Sequence, residues 1–301
     1  MSPFKQDGQQ QQAEVYFRAA ADEWQQKAEG RVAEYNIIEA RNRAVLTVLE
    51  SLPDARRLLD VGCGTGQLVI AAAQRGVDSV GIDFAKEMIE RCEANRQSAG
   101  VPATFVFGSF FDMPAPEQAY DVVSAQGFIE YVEPEQMEEF FARSARMLRS
   151  GGALAIGSRN RLFNLLSLNA FTEAELELGT VRQLIEQAIA LHMSDSQEAA
   201  FAALRRLEQI DAQPQRYPRT GIGVDVRHQY SPAELVLRLR RHGFSPKCLY
   251  PVHFHGLPVQ LKAAHPNLHA QLATLIDSIA LADPRVVPFS STFVLDVRKD
   301  P

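Results

Sequence analysis

The sequence predicts an α/β protein whose core is a doubly wound, mostly parallel sheet. Between residues 57 and 158, short apolar runs alternate with amphipathic helical stretches, which is typical of parallel βαβ units with helices on both faces. The first apolar run enters a turn with three glycines, LLDVGCGTG at 58–66, whereas an ordinary turn needs one. We therefore expect another molecule to approach this backbone closely.

The composition is that of an ordinary soluble globular protein. Hydrophobic residues make up 46% of the 301 residues, and the net charge of −6 disfavours nucleic acid as the main partner. No apolar stretch approaches the ~18 residues of a membrane span, so no integral membrane segment is expected. The cysteines Cys63, Cys92 and Cys248 have no CxxC spacing, which favours a reducing compartment and a cytoplasmic location.

The amino-terminal part is predicted to be helical. Residues 1–12 contain a glutamine run and are expected to form a disordered lead-in, and residues 13–56 a helical cap with apolar residues at helical intervals.

Residues 57–160 carry the alternating pattern of the core. The helices are predicted from Gly66 to about Arg75, from Ala85 to about Ala99, and from Pro134 to Leu148. The predicted strands are RLLDV (57–61), SVGID (79–83), TFVFG (104–108), YDVVSAQ (120–126) and GALAIGS (152–158).

The alternation then stops, and residues 161–226 read as a helical insertion. Two amphipathic stretches flank a polar break at 192–197, and this hairpin is either a lid over the site or a dimerisation element. Residues 227–301 return to the core, with a helix capped by Ser231, strands at 247–254 and 291–298, and a helical segment between them.

The glycine turn and the acids near it indicate a nucleotide-type ligand. The spacing Gly62-x-Gly64-x-Gly66 matches neither the dinucleotide fingerprint nor the phosphate loop. Asp83 ends the second predicted strand, where an acid can accept hydrogen bonds from both hydroxyls of a ribose. Asp60 either accepts from the amides of the turn or contacts an ammonium group of the ligand.

Five segments together resemble the class I S-adenosylmethionine-dependent methyltransferases: LLDVGCGTG, GIDFA, FVFGSFFDMP, YDVVSAQGFIEYV and LRSGGALAIGS. The resemblance covers about residues 55–160. It implies a Rossmann-like, seven-stranded sheet with an antiparallel final hairpin. It also implies S-adenosylmethionine as the cofactor and S-adenosylhomocysteine as the product. The segment VYFRAAADEW at 15–24 further resembles the opening helix of small-molecule methyltransferases of the ubiquinone-biosynthesis type, in which aromatic residues cover the bound cofactor. Tyr16 and Trp24 would either cover the cofactor in this way or pack in the core.

The resemblance also implies roles for particular residues. Asp83 would bind the ribose, Phe84 would pack on the adenine, and Gln126 would pass close to the methionine part. Phe110, by its backbone, and Ser109 or Asp112 would lie near the adenine edge. Many relatives have an acid where this chain has Ser109, so Asp112, a backbone group or water would hold the adenine amine instead. The methionine part would be lined by Asp60, Gly62, Cys63, Gly64 and Gly66.

Methyl transfer to a hydroxyl needs a group that accepts the departing proton, and a histidine is best matched to neutral pH. Many relatives carry a histidine where this chain has Tyr131. The candidates are Tyr131, His228, His253 and His255. If His253 and His255 of the HFH segment bound a metal ion, a third ligand would have to come from His228, His265 or Glu130. No metal is expected.

Arg159, Asn160 and Arg161 follow the fifth predicted strand, where relatives place substrate contacts. They either bind a hydroxyl-rich or anionic acceptor or form a capped loop with solvated arginines.

The expected function is methyl transfer to a small-molecule or glycan acceptor, most plausibly at a hydroxyl. A quinone-like phenol or other lipid or aromatic acceptor is the nearest alternative, and a catalytically silent cofactor binder is another. The glycine spacing disfavours a nicotinamide oxidoreductase. The tetrad [DNS]-P-P-[YF] of many amino-methylating nucleic-acid enzymes is absent after YDVV, which again argues against nucleic acid. A homodimer is possible.

Overall fold

A seven-stranded sheet forms the centre of the described part of the chain, which in this computed structural model comprises residues 8–30, 35–208, 210, 212–214, 218, 222–280 and 282–301. The strand order is β3-β2-β1-β4-β5-β7-β6. The strands are β1 Arg57–Val61, β2 Asp78–Asp83, β3 Thr104–Phe107, β4 Tyr120–Gln126, β5 Leu148–Arg159, β6 Phe244–Phe254 and β7 Ser290–Lys299.

Helices cover both faces of this sheet. They are α1 Gly8–Ala19, α2 Ala21–Ala28, α3 Ile37–Glu50, α4 Gln67–Ala73, α5 Lys86–Ala99, α6 Pro134–Met147, α7 Asn164–Ser167, α8 Ala170–Leu178, α9 Val181–His192, α10 Gln197–Leu204, α11 Pro232–Arg240, α12 Val259–Lys262 and α13 Pro266–Ala280. Short 3-10 helices span Phe128–Glu130, Arg161–Phe163 and Pro284–Phe289. Within these described ranges, no helix is both long enough and apolar enough to cross a bilayer.

The strand directions confirm the predicted fold class. β1 to β5 pair in parallel, and β7 runs antiparallel to both β5 and β6. Central strands are buried on both faces, as Leu58, Leu59 and Val123 show with no exposed area. The carboxyl ends of β1, β2, β4 and β5 therefore share one edge, and the order reverses between β1 and β4. Ligands of open α/β sheets bind at such a reversal.

The start of the chain differs from the prediction of a disordered lead-in. α1 begins at Gly8, so residues 8–12 are helical, and Gln9 and Gln10 are buried against the protein. Glutamines carry no hydrophobic periodicity, which is why the pattern did not predict this helical turn. Residues 1–7 lie outside the described residues.

Candidate functional site

The glycine turn after β1 is left-handed at each of its three glycines, with φ of 69° at Gly62, 55° at Gly64 and 85° at Gly66. A Cβ on Gly66 would lie 2.8 Å from Cζ of Phe105, so packing alone requires glycine there. A Cβ on Gly64 would meet no described atom within 4 Å. Gly64 therefore borders open space, whereas Gly66 serves the core.

That open space is a void of about 1070 Å³, counted with its opening to solvent. It lies at the carboxyl edge of the sheet, where the order reverses. Residues from the amino-terminal helices and from the loop before α11 complete its wall. Of the residues predicted to bind the cofactor, Asp60, Gly62, Cys63, Gly64, Asp83, Phe84 and Gln126 line it.

Asp83 connects the glycine turn to the start of α5. Its Oδ2 accepts a hydrogen bond from the backbone N–H of Gly64 at 3.0 Å, and its Oδ1 accepts one from Ala85 at 2.9 Å. Burial raises the pKa of Asp83 to about 6, and these two hydrogen bonds limit the rise. Each carboxylate oxygen can accept a second bond, so the pair of ribose hydroxyls expected from the sequence fits here.

Asp60 is the second carboxylate of the void. It is 4% exposed, and its Oδ1 is buried without a hydrogen-bond partner among the described residues. Burial raises the pKa of Asp60 to about 7; the hydroxyl of Ser124 counteracts this rise, and the charge of Asp83 adds to it. A carboxyl group in this state fits an ammonium ligand, which would supply the missing partner.

Aromatic side chains form the wall next to Phe84. Phe17 of α1 and Trp24 of α2 pack in one cluster with Phe84 and Met88, and the Phe17 and Trp24 rings lie 5.8 Å apart. All four line the void. Trp24, which the sequence left between a cover and core packing, is therefore part of the cover.

Ser109 and Phe110 do not line the void, contrary to the expectation from the resemblance. The Ser109 hydroxyl accepts a hydrogen bond from the N–H of Phe111 at 3.2 Å, which caps the turn after β3. The Phe110 ring is 3% exposed and packs against Phe140 at 5.2 Å. Ser109 therefore stabilises a turn and Phe110 packs in the core against α6.

The amino-terminal helices, not the insertion, cover the void. Gln10, Ala13 and Phe17 of α1 line it, whereas no described residue between 161 and 208 does. Within the insertion, α9 packs on the 3-10 helix Pro284–Phe289 and α10 packs on β6, which lie towards the far side of the sheet. The lid prediction is corrected accordingly for the described part of the insertion.

A buried charge cluster bounds the end of the void beyond β4. Glu130 has no exposed area; its Oε1 accepts from Nη2 of Arg41 at 3.1 Å and from the backbone N–H of Arg159 at 3.0 Å. Its Oε2 accepts from Nε of Arg227 at 2.8 Å. Burial alone would raise the pKa of Glu130, but the arginines hold it below its usual value. Arg41, Glu130 and Arg227 line the void, as does Tyr131.

Sequence reasoning missed Arg41 and Arg227, and considered Glu130 only as a metal ligand. Arg41 lies in a helix and Arg227 in a loop, and nothing in either local pattern points to a site. Glu130 did carry a signal, because it is an acid within the apolar run GFIEYV directly after the fourth strand.

Tyr131 is the one candidate base from the sequence that lines the void. Burial raises its pKa to about 12, although the guanidinium of Arg227, 5.6 Å from the ring centre, acts in the opposite direction. Its hydroxyl is therefore neutral near pH 7. It can donate or accept a hydrogen bond, but it is not a strong base.

None of the three candidate histidines lines the void, so the expectation of a histidine base there is corrected. His228 is 5% exposed, and burial, with the charge of Arg238, lowers its pKa to about 4. The ring of His253 stacks on Tyr35 at 5.1 Å, and its burial lowers its pKa well below the usual value. Burial also lowers the pKa of His255 to about 3.

The HFH segment meets a different histidine from the ligands considered in the sequence. The rings of His253 and His255 lie 5.8 Å and 5.2 Å from that of His269, on α13. Within the described residues, no group of histidine, cysteine and acidic side chains is arranged to hold a metal ion.

Two of the three residues predicted to contact substrate are structural. The Asn160 side chain donates to the carbonyls of Val287 and Ser290, at 2.8 Å and 2.9 Å. Arg161 is 1% exposed and pairs with two buried acids, Glu175 on α8 and Glu234 on α11. Their side chains are fully engaged within the protein, which corrects the prediction for both. Arg159 is partly exposed, and its Cζ lies 5.0 Å from the ring centre of Phe171.

A family model described as a methyltransferase domain matches residues 58–152. The chain is 31% identical to 27-O-demethylrifamycin SV methyltransferase of Amycolatopsis mediterranei, over 48% of this chain and 51% of that protein. It is 28% identical to a ubiquinone biosynthesis O-methyltransferase of Rhizobium etli, over 38% of this chain and 46% of that protein. The chain thus spans about half the length of these curated relatives.

Solved structures share the fold over a longer stretch. Magnesium protoporphyrin IX methyltransferase of Synechocystis PCC 6803, with bound S-adenosylhomocysteine, aligns with a TM-score of 0.58 and 13% identity over 97% of this chain and 100% of that chain. At this identity the likeness concerns the fold. The matched domain contains the glycine turn, Asp60 and Asp83, which border the void. We conclude that residues 58–152 form a methyltransferase domain of the class I, S-adenosylmethionine-dependent type.

Proposed function

We propose that this protein transfers a methyl group from S-adenosylmethionine to an oxygen atom of a small aromatic or otherwise apolar acceptor. One observation carries the proposal: a single void joins the glycine turn and its two carboxylates to an apolar, cationic end beyond β4. The names of the two curated relatives support oxygen as the target, because both denote methylation at oxygen.

The residues of the void fit the parts of the cofactor. Asp83 would accept from the ribose hydroxyls, Asp60 would face the ammonium group, and Phe84 would pack on the adenine. Arg41 is the cation available to the carboxylate of the methionine part, because it lies against the backbone of Gly127 at the end of β4. When bound, S-adenosylmethionine supplies a methyl group on a positively charged sulfur. The protein must then orient the acceptor and exclude water.

The walls of the other end favour an aromatic acceptor over a glycan. Phe17, whose ring packs edge-on against that of Tyr131, lines the void together with Phe128 and Val132. A sugar presents hydroxyl groups around its ring, and each buried hydroxyl without a partner costs about 1–3 kcal/mol. These side chains supply few such partners, whereas an aromatic ring would gain from contact with them.

No histidine among the described residues lines the void, and this limits which kind of hydroxyl can be methylated. Since Tyr131 stays neutral, the acceptor must lose its proton with little help from a protein base. Nearby cations stabilise the charged form of an acid and so lower its pKa. Arg227, together with the positive sulfur of the bound cofactor, would act in this way on a phenol, whose pKa begins near 10, but could not ionise an alcohol. A phenolic acceptor is therefore the favoured one.

Replacing Asp83 with alanine tests the cofactor site. We expect S-adenosylhomocysteine to bind about 2–3 kcal/mol more weakly, roughly 30- to 150-fold, because hydrogen bonds to a charged group are lost. Isothermal titration calorimetry measures this. Asp78→Ala is the control, because Asp78 begins the same strand but its exposed side chain pairs with Arg57 on the surface. Equal affinities of the Asp83 variant and the parent protein would remove Asp83 from the site.

Turnover is tested with a panel of phenols and matched sugars, with S-adenosylhomocysteine release as the signal. Release with phenols and not with sugars is the expected result. Tight binding of S-adenosylhomocysteine without release for any acceptor would instead favour a silent cofactor binder.

The affinity for S-adenosylhomocysteine is expected to rise as the pH increases from about 5.5 to 8. Burial raises the pKa of Asp60 to about 7, and only the ionised form attracts an ammonium group. The raised pKa of Asp60 also makes the stability of the ligand-free protein depend on pH. Its stabilising contribution is fully present below the usual aspartate pKa, near 3.9, and is lost as the pH rises through about 7. Calorimetry across this range should show the rise. Asp60→Asn should remove its upper part, near pH 7, and leave the lower part that comes from Asp83, whose pKa burial raises to about 6. An unaltered pH profile in that variant would contradict the assignment.

We also propose a reducing compartment such as the cytoplasm. All three cysteines are free thiols, and the sulfur atoms of Cys63 and Cys92 lie 4.0 Å apart without a bond.

We also propose that the protein forms a homodimer. One exposed face of α9 carries an apolar stripe that a dimer interface would bury. It consists of Ile185 and Ile189 on the helix and Met193 directly after it.

A further inference from the structure

The charge cluster at the end of the void contains more cations than anions. The side chains of Arg41 and Arg227 donate to a single carboxylate, that of Glu130, and the charge of Arg159 also acts on it to lower its pKa. The side chain of Arg159 has no carboxylate partner among the described residues, and its one aromatic contact is with Phe171. Burial and the charge of Arg227 lower the pKa of Arg159 to about 10, as expected for a guanidinium that lacks an anion.

Such an imbalance is costly in a buried setting. A largely buried charge without a partner destabilises a protein, because the hydration that it loses is not replaced. The carboxylate of the cofactor can offset one of these charges, and Arg41 is placed for it, since its Nη1 would lie 2.9 Å from a Cβ on Gly127. The charges of Arg159 and Arg227 then still share the one carboxylate of Glu130.

Arg227 is the cation that a second ligand would meet. Arg227 lines the void, whereas Arg159 does not and only its backbone N–H donates to Glu130. Only Nε of Arg227 donates to Glu130, and its two Nη groups make no hydrogen bond to the described residues. Phe17 and Tyr131 stand beside it as apolar walls.

We propose that the acceptor carries a carboxylate on an apolar or aromatic body, and that this carboxylate pairs with Arg227 while the charge of Arg159 strengthens the pairing. The planar guanidinium matches the two oxygens of a carboxylate and can bind both at once. The carboxylate is a recognition group distinct from the oxygen that receives the methyl group. This inference rests on the proposed function, because it assigns the second ligand of the same void.

The test uses the protein saturated with S-adenosylhomocysteine and two probes of equal shape, benzoate and benzamide. We expect benzoate to bind at least tenfold more tightly by calorimetry. Arg227→Gln should remove this preference, Arg159→Gln should reduce it, and Arg227→Lys should keep part of it. Arg182→Gln is the matched control, because that arginine is 88% exposed on α9, and it should keep the full preference.

The ratio of the two affinities is the deciding quantity, because a partly unfolded variant loses binding of both probes alike. Equal affinity for benzoate and benzamide, no binding of either, or a preference that survives in Arg227→Gln would overturn the proposal. Tighter binding of phenyl phosphate than of benzoate would overturn the assignment to a carboxylate in favour of a phosphate. Failure of S-adenosylhomocysteine to bind would contradict the proposed function itself, and titration before the probes are added detects it separately.

Discussion

Replacing Gly64 with valine is expected to abolish S-adenosylhomocysteine binding and to leave the fold largely intact. A Cβ at this position would meet no described protein atom within 4 Å, so the added side chain would occupy the space of the ligand. The left-handed backbone, with φ of 55°, adds a strain of about 1–2 kcal/mol for a residue with a side chain. A typical domain stability of about 5–15 kcal/mol can absorb that cost. Calorimetry measures the binding, and circular dichroism the fold.

Gly76→Val is the matched control for this variant. Gly76 is also left-handed, with φ of 80°, and also borders open space, but it lies beyond α4 and outside the void. It should carry the same strain and keep its full affinity. If Gly64→Val bound the ligand as tightly as Gly76→Val does, the turn would not face the ligand.

Replacing Arg161 with methionine is expected to lower the free energy of unfolding by about 3–5 kcal/mol, the usual cost of breaking a buried ion pair from one side. Arg161 donates three hydrogen bonds to Glu175, at 2.9, 3.1 and 2.9 Å, and one to Glu234 at 3.1 Å. Both acids are buried, so each would keep a charge without its partner. Urea unfolding measures the loss.

The same variant separates a structural role from a substrate contact. We expect the affinity of the folded fraction for S-adenosylhomocysteine to be unchanged, because Arg161 does not line the void. Arg182→Met should unfold at the same urea concentration as the parent protein, because its side chain is 88% exposed. A stable Arg161 variant that had lost only turnover would restore the substrate role predicted from the sequence.

The strands could be predicted because each is a short apolar run between turn residues. RLLDV, for example, was predicted at 57–61, and β1 spans Arg57–Val61. Helix bounds were predicted where a local capping signal exists, as at Ser231, whose hydroxyl accepts from the N–H of Glu234 at 3.3 Å. The first turn of α1 has no such signal, and it was missed.

The charge cluster could not be predicted from any one stretch. Arg41, Glu130 and Arg227 come from a helix, a 3-10 turn and a loop, separated by 89 and 97 residues. Only the packing of α3 and of the loop before α11 on the end of β4 brings them together. No periodicity or spacing in the sequence predicts such a contact between distant segments.

The sequence by itself determined the strand-turn-helix at residues 57–73 and the two acids beside it, because backbone conformation and strand ends depend on neighbouring residues. The tertiary structure alone decided which polar groups reach the void. Arg159 and Arg161 are two positions apart in one polar segment. The Arg161 side chain pairs with Glu175 and Glu234 in the core, whereas the Arg159 side chain forms no ion pair among the described residues. The physical reason is that the environment of a charge depends on the segments folded around it, and these are distant in the chain.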